Sequence, residues 1–233
     1  MDVKEIDILG DHIADHWYYR HKAQVLERCL GPRGYRSMLD IGAGSGFFTR
    51  HLMTSGLIER GVCVDTGYAE DADETVNAKP LGFRTQITDS DADLVLLMDV
   101  LEHVDDDAAL LSAYVDQVPN GADFIISVPA FSFLWSGHDV FLEHRRRYTL
   151  AELEAVVIAA GLEVEDGFYA FAPVFPIAAT LRLLERRKTA ESQLTRHHPL
   201  VNAGLSALCA LEKPLMKRNR LAGLSVFCRA HKP

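Results

Sequence analysis

Apolar residues recur along this chain in two rhythms. Between residues 37 and 130, short apolar runs of strand length at 38–41, 62–65, 83–87, 94–98 and 124–128 alternate with helical segments. That alternation is the pattern of a parallel sheet with crossover helices, and runs that are apolar throughout are what strands covered on both faces require. Residues 105–118 carry Leu110, Leu111, Tyr114, Val115 and Val118 at helical spacing behind an acidic first turn, which suits the helix dipole. Thr149 followed by Glu152 makes a capping box ahead of Leu153, Val156, Val157 and Ala160, and Gly161 stands where a glycine stop belongs. Upstream, Ile13, Trp17, Val25, Leu26 and Leu30 predict one or two leading helices ending at Gly31-Pro32. Two further strands are expected late in the chain, the last of them at 224–230.

These elements predict a single α/β domain with a Rossmann-like, largely parallel seven-stranded sheet and helices on both faces. It divides into an N-terminal helical lid (1–36), a cofactor-binding core (37–130), a substrate-side loop, helix and strand (131–171), a helical insertion (172–220) and the last strand (221–233). The insertion is apolar, interrupted by Pro173 and Pro176, and edged by Arg182, Arg186, Arg187 and Lys188. The two prolines favour a lid or a dimer contact, and a helix resting on an anionic membrane surface is the other reading.

Composition narrows the chemistry. A formal net charge of -9 opposes broad nucleic-acid binding, which needs clustered Lys and Arg, and leaves small-molecule chemistry. Cys29, Cys63, Cys209 and Cys228 are far apart with no C-x-x-C pair, so they read as packed thiols in a reducing cytoplasm. No signal peptide and no spanning helix are expected.

The chemistry concentrates at LDIGAGSG, residues 39–46, where an apolar strand ending in Asp40 runs into Gly42, Gly44 and Gly46. Glycines there give a tight turn and a bare backbone at the carboxyl edge of a sheet, where open α/β folds bind ligands. The spacing is G-x-G-x-G, and Phe47 occupies the place where the dinucleotide fingerprint has its third glycine. Asp40 beside the loop would repel a pyrophosphate and would attract a sulfonium and an ammonium group. Asp65, ending the second strand ahead of Thr66-Gly67, is placed to accept hydrogen bonds from ribose hydroxyls.

With VCVD and LVLLMDVLEHV following, the chain resembles class I S-adenosylmethionine-dependent methyltransferases over residues 37–130, especially the ubiquinone-type O-methyltransferase branch. The resemblance implies S-adenosyl-L-methionine as cofactor, held by Asp40, Gly42, Ala43 and Gly44 at its methionine portion and by Asp65 and Thr66 at its ribose. Asp99 and Val100 would line the same site. The adenine contact is left open.

The fifth strand runs into FSFLWSGHDVFLEHRRRYTL, dense in aromatic, histidine and arginine residues. In-line methyl transfer gains mostly from positioning and a general base is optional; for an acceptor hydroxyl the base is His138 or His144, with Asp139 fixing the imidazole tautomer, and His103 is a third candidate. His103, Trp135, Arg146 and Tyr148 are the expected acceptor-binding residues. The spacing of His138, Asp139 and His144 lacks a recognised ligand pattern, and no metal is expected. The leading reading is a methyltransferase acting on a small acceptor, lipid-linked or glycan-related. The competing ones are a catalytically idle partner subunit of the same fold and a nicotinamide-dependent oxidoreductase.

Overall fold

A computed structural model describes residues 10–184 and 198–233. Strands β1 (Tyr35–Ile41), β2 (Ile58–Val64), β3 (Ala72–Val76), β4 (Lys79–Arg84), β5 (Leu94–Met98), β6 (Asp123–Pro129), β7 (Glu163–Ala170) and β8 (Ser225–His231) form one sheet. Their order is β3-β4-β2-β1-β5-β6-β8-β7. The five central strands β4, β2, β1, β5 and β6 are parallel, and the hairpin partner β3 and the outer strand β8 run antiparallel to their neighbours. β7 pairs antiparallel with β8 at the far edge.

Helices α1 (Trp17–Leu30), α2 (Phe47–Thr54), α3 (Asp107–Asp116), α4 (Gly137–Phe141), α5 (Leu150–Ala159), α6 (Phe175–Leu184) and α7 (Pro199–Ala210) complete the fold. The core is divided by the sheet. On one face Tyr19 and Leu26 of α1 and Phe48 and Leu52 of α2 pack against Met38, Leu94 and Ile125. On the other, Leu111 and Val115 of α3 and Leu153 and Val157 of α5 pack against Leu39, Val95 and Phe124. Strands covered on both sides must be apolar at every position, and β5 is buried from end to end.

The sheet has eight strands where seven were expected. The additional one, β3, carries Asp73 and Glu74 and is exposed along most of its length, so it has no apolar face to announce it. It turns into β4 through Asn77 and Ala78, both at positive φ (51° and 63°), the geometry of a two-residue hairpin loop. The strand expected at 83–87 lies instead at Lys79–Arg84 for the same reason. Asn-Ala in place of Asn-Gly hides the turn.

The capping box of α5 forms as expected: Glu152 N donates to Thr149 Oγ1 at 3.3 Å and Thr149 N donates to Glu152 Oε2 at 2.7 Å. Gly161 ends that helix at φ 89°. Between β7 and β8 the described residues form α6, α7 and a 3-10 turn at Met216–Arg218. Arg186, Arg187 and Lys188 lie outside the described residues. α7 is tied to α1 by Trp17 N donating to Asn202 Oδ1 at 2.8 Å. Past the end of α7, buried Glu212 meets His21 Nε2 at 2.5 Å and accepts from the backbone N–H groups of Phe171 and Ala172. No described helix is long and apolar enough to cross a membrane.

Candidate active site

The sheet's connectivity reverses direction at β1, with β2 on one side and β5 on the other, and the carboxyl ends of these three strands are level: Ile41 pairs with Val64 and with Leu97. A crevice at such a switch point is where open α/β sheets bind ligands. Gly42, Gly44 and Gly46 all adopt positive φ (63°, 55° and 71°) there. A Cβ on Gly42 would stand 2.7 Å from Val100 Cγ2, so the loop and the residue after β5 are fitted to each other.

Asp40 is buried beneath this loop and has, among the described residues, a single side-chain donor, Thr49 Oγ1, at 2.7 Å. Burial pushes its carboxyl up to about 6, with the Asp65 charge adding to the rise and the Thr49 hydroxyl opposing it. Asp65 accepts from Gly44 N and from Gly67 N, each at 2.9 Å, and so pins the glycine loop to the end of β2. Tyr68 closes the same turn by donating to the Gly44 carbonyl at 2.6 Å. Thr66 is exposed beside it. Asp40, Gly42, Ala43, Gly44, Asp65, Thr66, Asp99 and Val100 therefore share one edge of the sheet.

Asp99 follows β5 at φ 58° and faces two ways. Its side chain accepts from Ser127 Oγ at 3.2 Å and is paired with Lys22 Nζ, which α1 delivers wholly buried. Burial alone would push the Lys22 ammonium down, yet Asp99, with Tyr18 behind it, holds it above its usual value. The same pairing overcomes burial at Asp99 and keeps that carboxyl below the usual range. Lys22 was not singled out from sequence, although it lies on the apolar stripe Tyr19, Ala23, Leu26 of α1, where a cation needs a reason.

Asp99 also borders a cavity of about 490 Å³. Its polar wall includes Asp99, Glu102, His103, His138, His144 and Arg147; α1, α6 and α7 supply a mainly apolar wall that includes Trp17, Ile177, Leu181 and Leu205, with Arg182 of α6 also bordering the cavity. His138, His144 and Arg147 of that wall come from the excursion 131–147, whose ends are clamped where Phe131 N donates to the Tyr148 carbonyl and Tyr148 N to the Pro129 carbonyl, each at 2.9 Å.

At the centre of that excursion lies Asp139. It accepts from Ser136 N at 2.8 Å, His144 Nδ1 at 2.9 Å, Arg147 Nε at 2.6 Å and Arg147 Nη2 at 3.0 Å. Burial alone would raise this carboxyl, but His144 and Arg147 together hold it far below its ordinary value. An ionised Asp139 requires a proton on His144 Nδ1 and leaves Nε2 as the acceptor nitrogen. Of the histidines expected as candidate bases, His144 is the one that Asp139 orients. His138 stands beside it in the cavity wall, its imidazole pushed down to about 3 by burial and then by Arg182.

The expected acceptor-binding residues separate. His103 lines the cavity, whereas Trp135 does not border it. Tyr148 is buried and donates to Asp107 Oδ2 at 2.7 Å. Arg146 likewise turns to Asp107 at 3.2 Å and to the Asp105 carbonyl at 2.7 Å, and its neighbour Arg147 is the arginine that faces the cavity. Three consecutive arginines offer no period by which to choose among them.

A switch-point crevice of this form, with a glycine turn on β1 and an acidic residue ending β2, is the architecture of class I S-adenosylmethionine-dependent methyltransferases. The chain belongs to the methyltransferase domain family, whose model matches residues 14–166. A curated relative from Mycolicibacterium smegmatis, described as a probable S-adenosylmethionine-dependent methyltransferase, is 26% identical over 163 residues, covering 65% of this chain and 61% of the relative. The chain thus spans about three fifths of that relative's length. Among solved structures, the N-methyltransferase NodS from Bradyrhizobium japonicum, in complex with S-adenosylhomocysteine, matches with a TM-score of 0.55 at 12% identity, covering 99% of this chain and 97% of that one. The methyltransferase of a Haloferax volcanii complex with its Trm112 activator matches with a TM-score of 0.56 at 16% identity, covering 95% and 92%. At such identities the likeness is one of fold. The ubiquinone-type branch is not distinguished by these matches.

Proposed function

We propose that the protein transfers the methyl group of S-adenosyl-L-methionine to a small acceptor bound in the cavity bordered by Asp99. The observation that carries this reading is the contiguity of the two sites. Asp99 follows β5, one residue before the Val100 that is fitted against Gly42 on the donor edge, and also borders the cavity, so a methyl group presented at that edge faces an acceptor in the cavity.

On the donor side Asp40 is a buried carboxylate short of partners, and a bound cation stabilises its charged form. The positive-φ glycines let the cofactor approach the backbone, with Ala43 and Val100 flanking it. Asp65 keeps lone pairs for ribose hydroxyls beyond the two backbone donors it already holds. Lys22 cancels the Asp99 charge, so the negative potential offered to a sulfonium rests on Asp40 and Asp65. The cofactor supplies an electrophilic methyl carbon when bound, and the chain supplies alignment, which is the larger part of the acceleration for an in-line displacement.

On the acceptor side His144, its ring set by Asp139, takes the acceptor proton through Nε2. His138 and His103 offer hydrogen bonds to the acceptor. The apolar wall from α6 and α7 suits an acceptor with an apolar body. The outward residues of the same helices, among them Leu184 at 78% and Leu200 at 77% exposure, favour a lipid-linked acceptor met at a membrane surface over a glycan. The idle-subunit and nicotinamide readings gain nothing from this geometry.

Calorimetric titration with S-adenosylhomocysteine tests the donor half. Binding with a raised melting temperature is expected, and neither heat nor stabilisation at about millimolar ligand would reject it. Labelled-methyl transfer into a lipid extract and into a water-soluble extract tests the acceptor half, with label expected in the lipid fraction and lost in His144→Ala.

A further inference from the structure

Glu102 lies on the 3-10 turn Leu101–His103, borders the cavity, and is wholly buried. Neither of its side-chain oxygens meets a hydrogen-bond donor of another described residue. A buried carboxylate left like this costs free energy unless it is neutralised, and native proteins keep such groups where a ligand completes them. Burial drives its carboxyl well above the ordinary range and the nearby Asp99 charge adds to the rise. Lys22, paired with Asp99, opposes that rise only in part.

Two imidazoles stand beside it. The rings of His103 and His144 are 4.8 Å apart, centre to centre, and nearly perpendicular at 81°. One donor atom from each of Glu102, His103 and His144 falls within 4.8 Å of the others. Donors around a tetrahedral ion with bonds of about 2.1 Å are about 3.4 Å apart, a contraction that small side-chain rotations achieve. The fourth feature is Asp139. Metal-binding imidazoles commonly donate their other N–H to a carboxylate, and His144 Nδ1 donates to Asp139 at 2.9 Å, leaving Nε2 for the ion.

We propose that Glu102, His103 and His144 form a site for a divalent transition-metal ion on the polar wall of the cavity. Two imidazoles and one carboxylate suit Zn²⁺, Fe²⁺ or Mn²⁺ and leave coordination positions open. The spacing of His138, Asp139 and His144 gave no such set because Asp139 is saturated by Arg147 and Ser136 and orients a ligand rather than serving as one. The ion site stands apart from the methyl-transfer reading; only its use rests on that reading. An acceptor hydroxyl bound to the ion loses its proton to water, and its oxygen bonds to the methyl carbon as the carbon–sulfur pair leaves with sulfur. In that state the ion takes over the proton-removing work assigned above to His144.

The test uses the full-chain protein stripped with a chelator, then titrated with Co²⁺ by visible absorption and with Zn²⁺ by calorimetry. One ion per chain, with absorption bands of a histidine-bound Co²⁺, is expected, and Glu102→Gln and His103→Ala should each weaken binding by about 100-fold or more. The ion-free Glu102→Gln protein should melt above the ion-free wild type, because the lone buried carboxylate is gone, and should gain nothing from Zn²⁺. S-adenosylhomocysteine titration on every sample reports folding and the donor site separately: Co²⁺ binding without it leaves the metal site standing and removes the donor assignment. Absence of Co²⁺ bands and of Zn²⁺ heat in the wild type, or wild-type affinity in both variants, overturns the proposal.

Discussion

Asp40 and Asp139 are both buried carboxylates in the loops and strand ends that border the site, yet their environments drive them apart. Among the described residues Asp40 has one hydroxyl donor, and it is pushed up to about 6; Asp139 has an arginine fork, an imidazole and a backbone N–H, and is held far below its ordinary value. The first carboxylate is short of partners that a cation can supply. The second is satisfied within the protein and spends its charge on holding His144 and Arg147. The contrast separates a group that waits for a ligand from one that builds the wall.

Breaking the second group should have the largest effect. Asp139→Asn leaves the Arg147 guanidinium buried without its counter-charge, and a loss of about 3–5 kcal/mol in denaturant unfolding is expected. Arg147→Ala should cost a similar amount, whereas Arg146→Ala, whose side chain is more than one-third exposed, should cost below about 1 kcal/mol. Equal losses at the two arginines would erase the assignment of Arg147 to the wall.

At the donor edge the effect should move from stability to binding. Asp40→Asn keeps the shape and the Thr49 contact, so its ligand-free melting temperature should match or exceed the wild type. Its affinity for S-adenosylmethionine should fall by about 100-fold, or about 2.7 kcal/mol. Gly42→Ala comes next: a Cβ at 2.7 Å from Val100 on a backbone at φ 63° should cost about 1–3 kcal/mol. Val100→Ala in the same chain should recover part of that loss, leaving the strain from φ.

The smallest effect is one of pH, and its sign differs between the two carboxylates. A cation favours the charged form of Asp40, so binding releases a proton, and affinity should rise by up to about tenfold per pH unit below 6 and level off above 7. Without ligand, Asp40, whose folded value is raised, favours the fold at low pH and withdraws that support as pH rises from about 4 through 6. Asp139, whose folded value is lowered, supports the fold above about 4 and loses that support as pH falls further. Calorimetry from pH 5 to 8 and melting curves from pH 3 to 8, with Asp40→Asn alongside, separate the two contributions.

Much of the donor edge was legible because it is local. The strand-turn-helix around Gly42, Gly44 and Gly46, the acidic residue ending β2 and the capping box of α5 each depend on residues within a few positions of one another. β3 was not legible, since an edge strand exposed on both faces has no alternation to read and its turn lacks the glycine that usually marks it. The polar wall was half legible. A cluster of histidines and arginines was visible at 138–147, but which imidazole Asp139 would orient and which arginine would reach it depend on how the excursion folds back against β6.

The amino-acid sequence by itself determined the apolar central strands of the sheet, the glycine turn and the acidic pair Asp40 and Asp65, because hydrophobic period and backbone conformation are properties of short stretches. Only the tertiary structure decided that Lys22, 77 positions from Asp99, would neutralise it, that Asp65 would pin the glycine loop, and that Glu102 would face His103 and His144. Those contacts join helix, sheet edge and loop across long sequence separations, and charge pairing over such distances leaves no periodic mark on the chain.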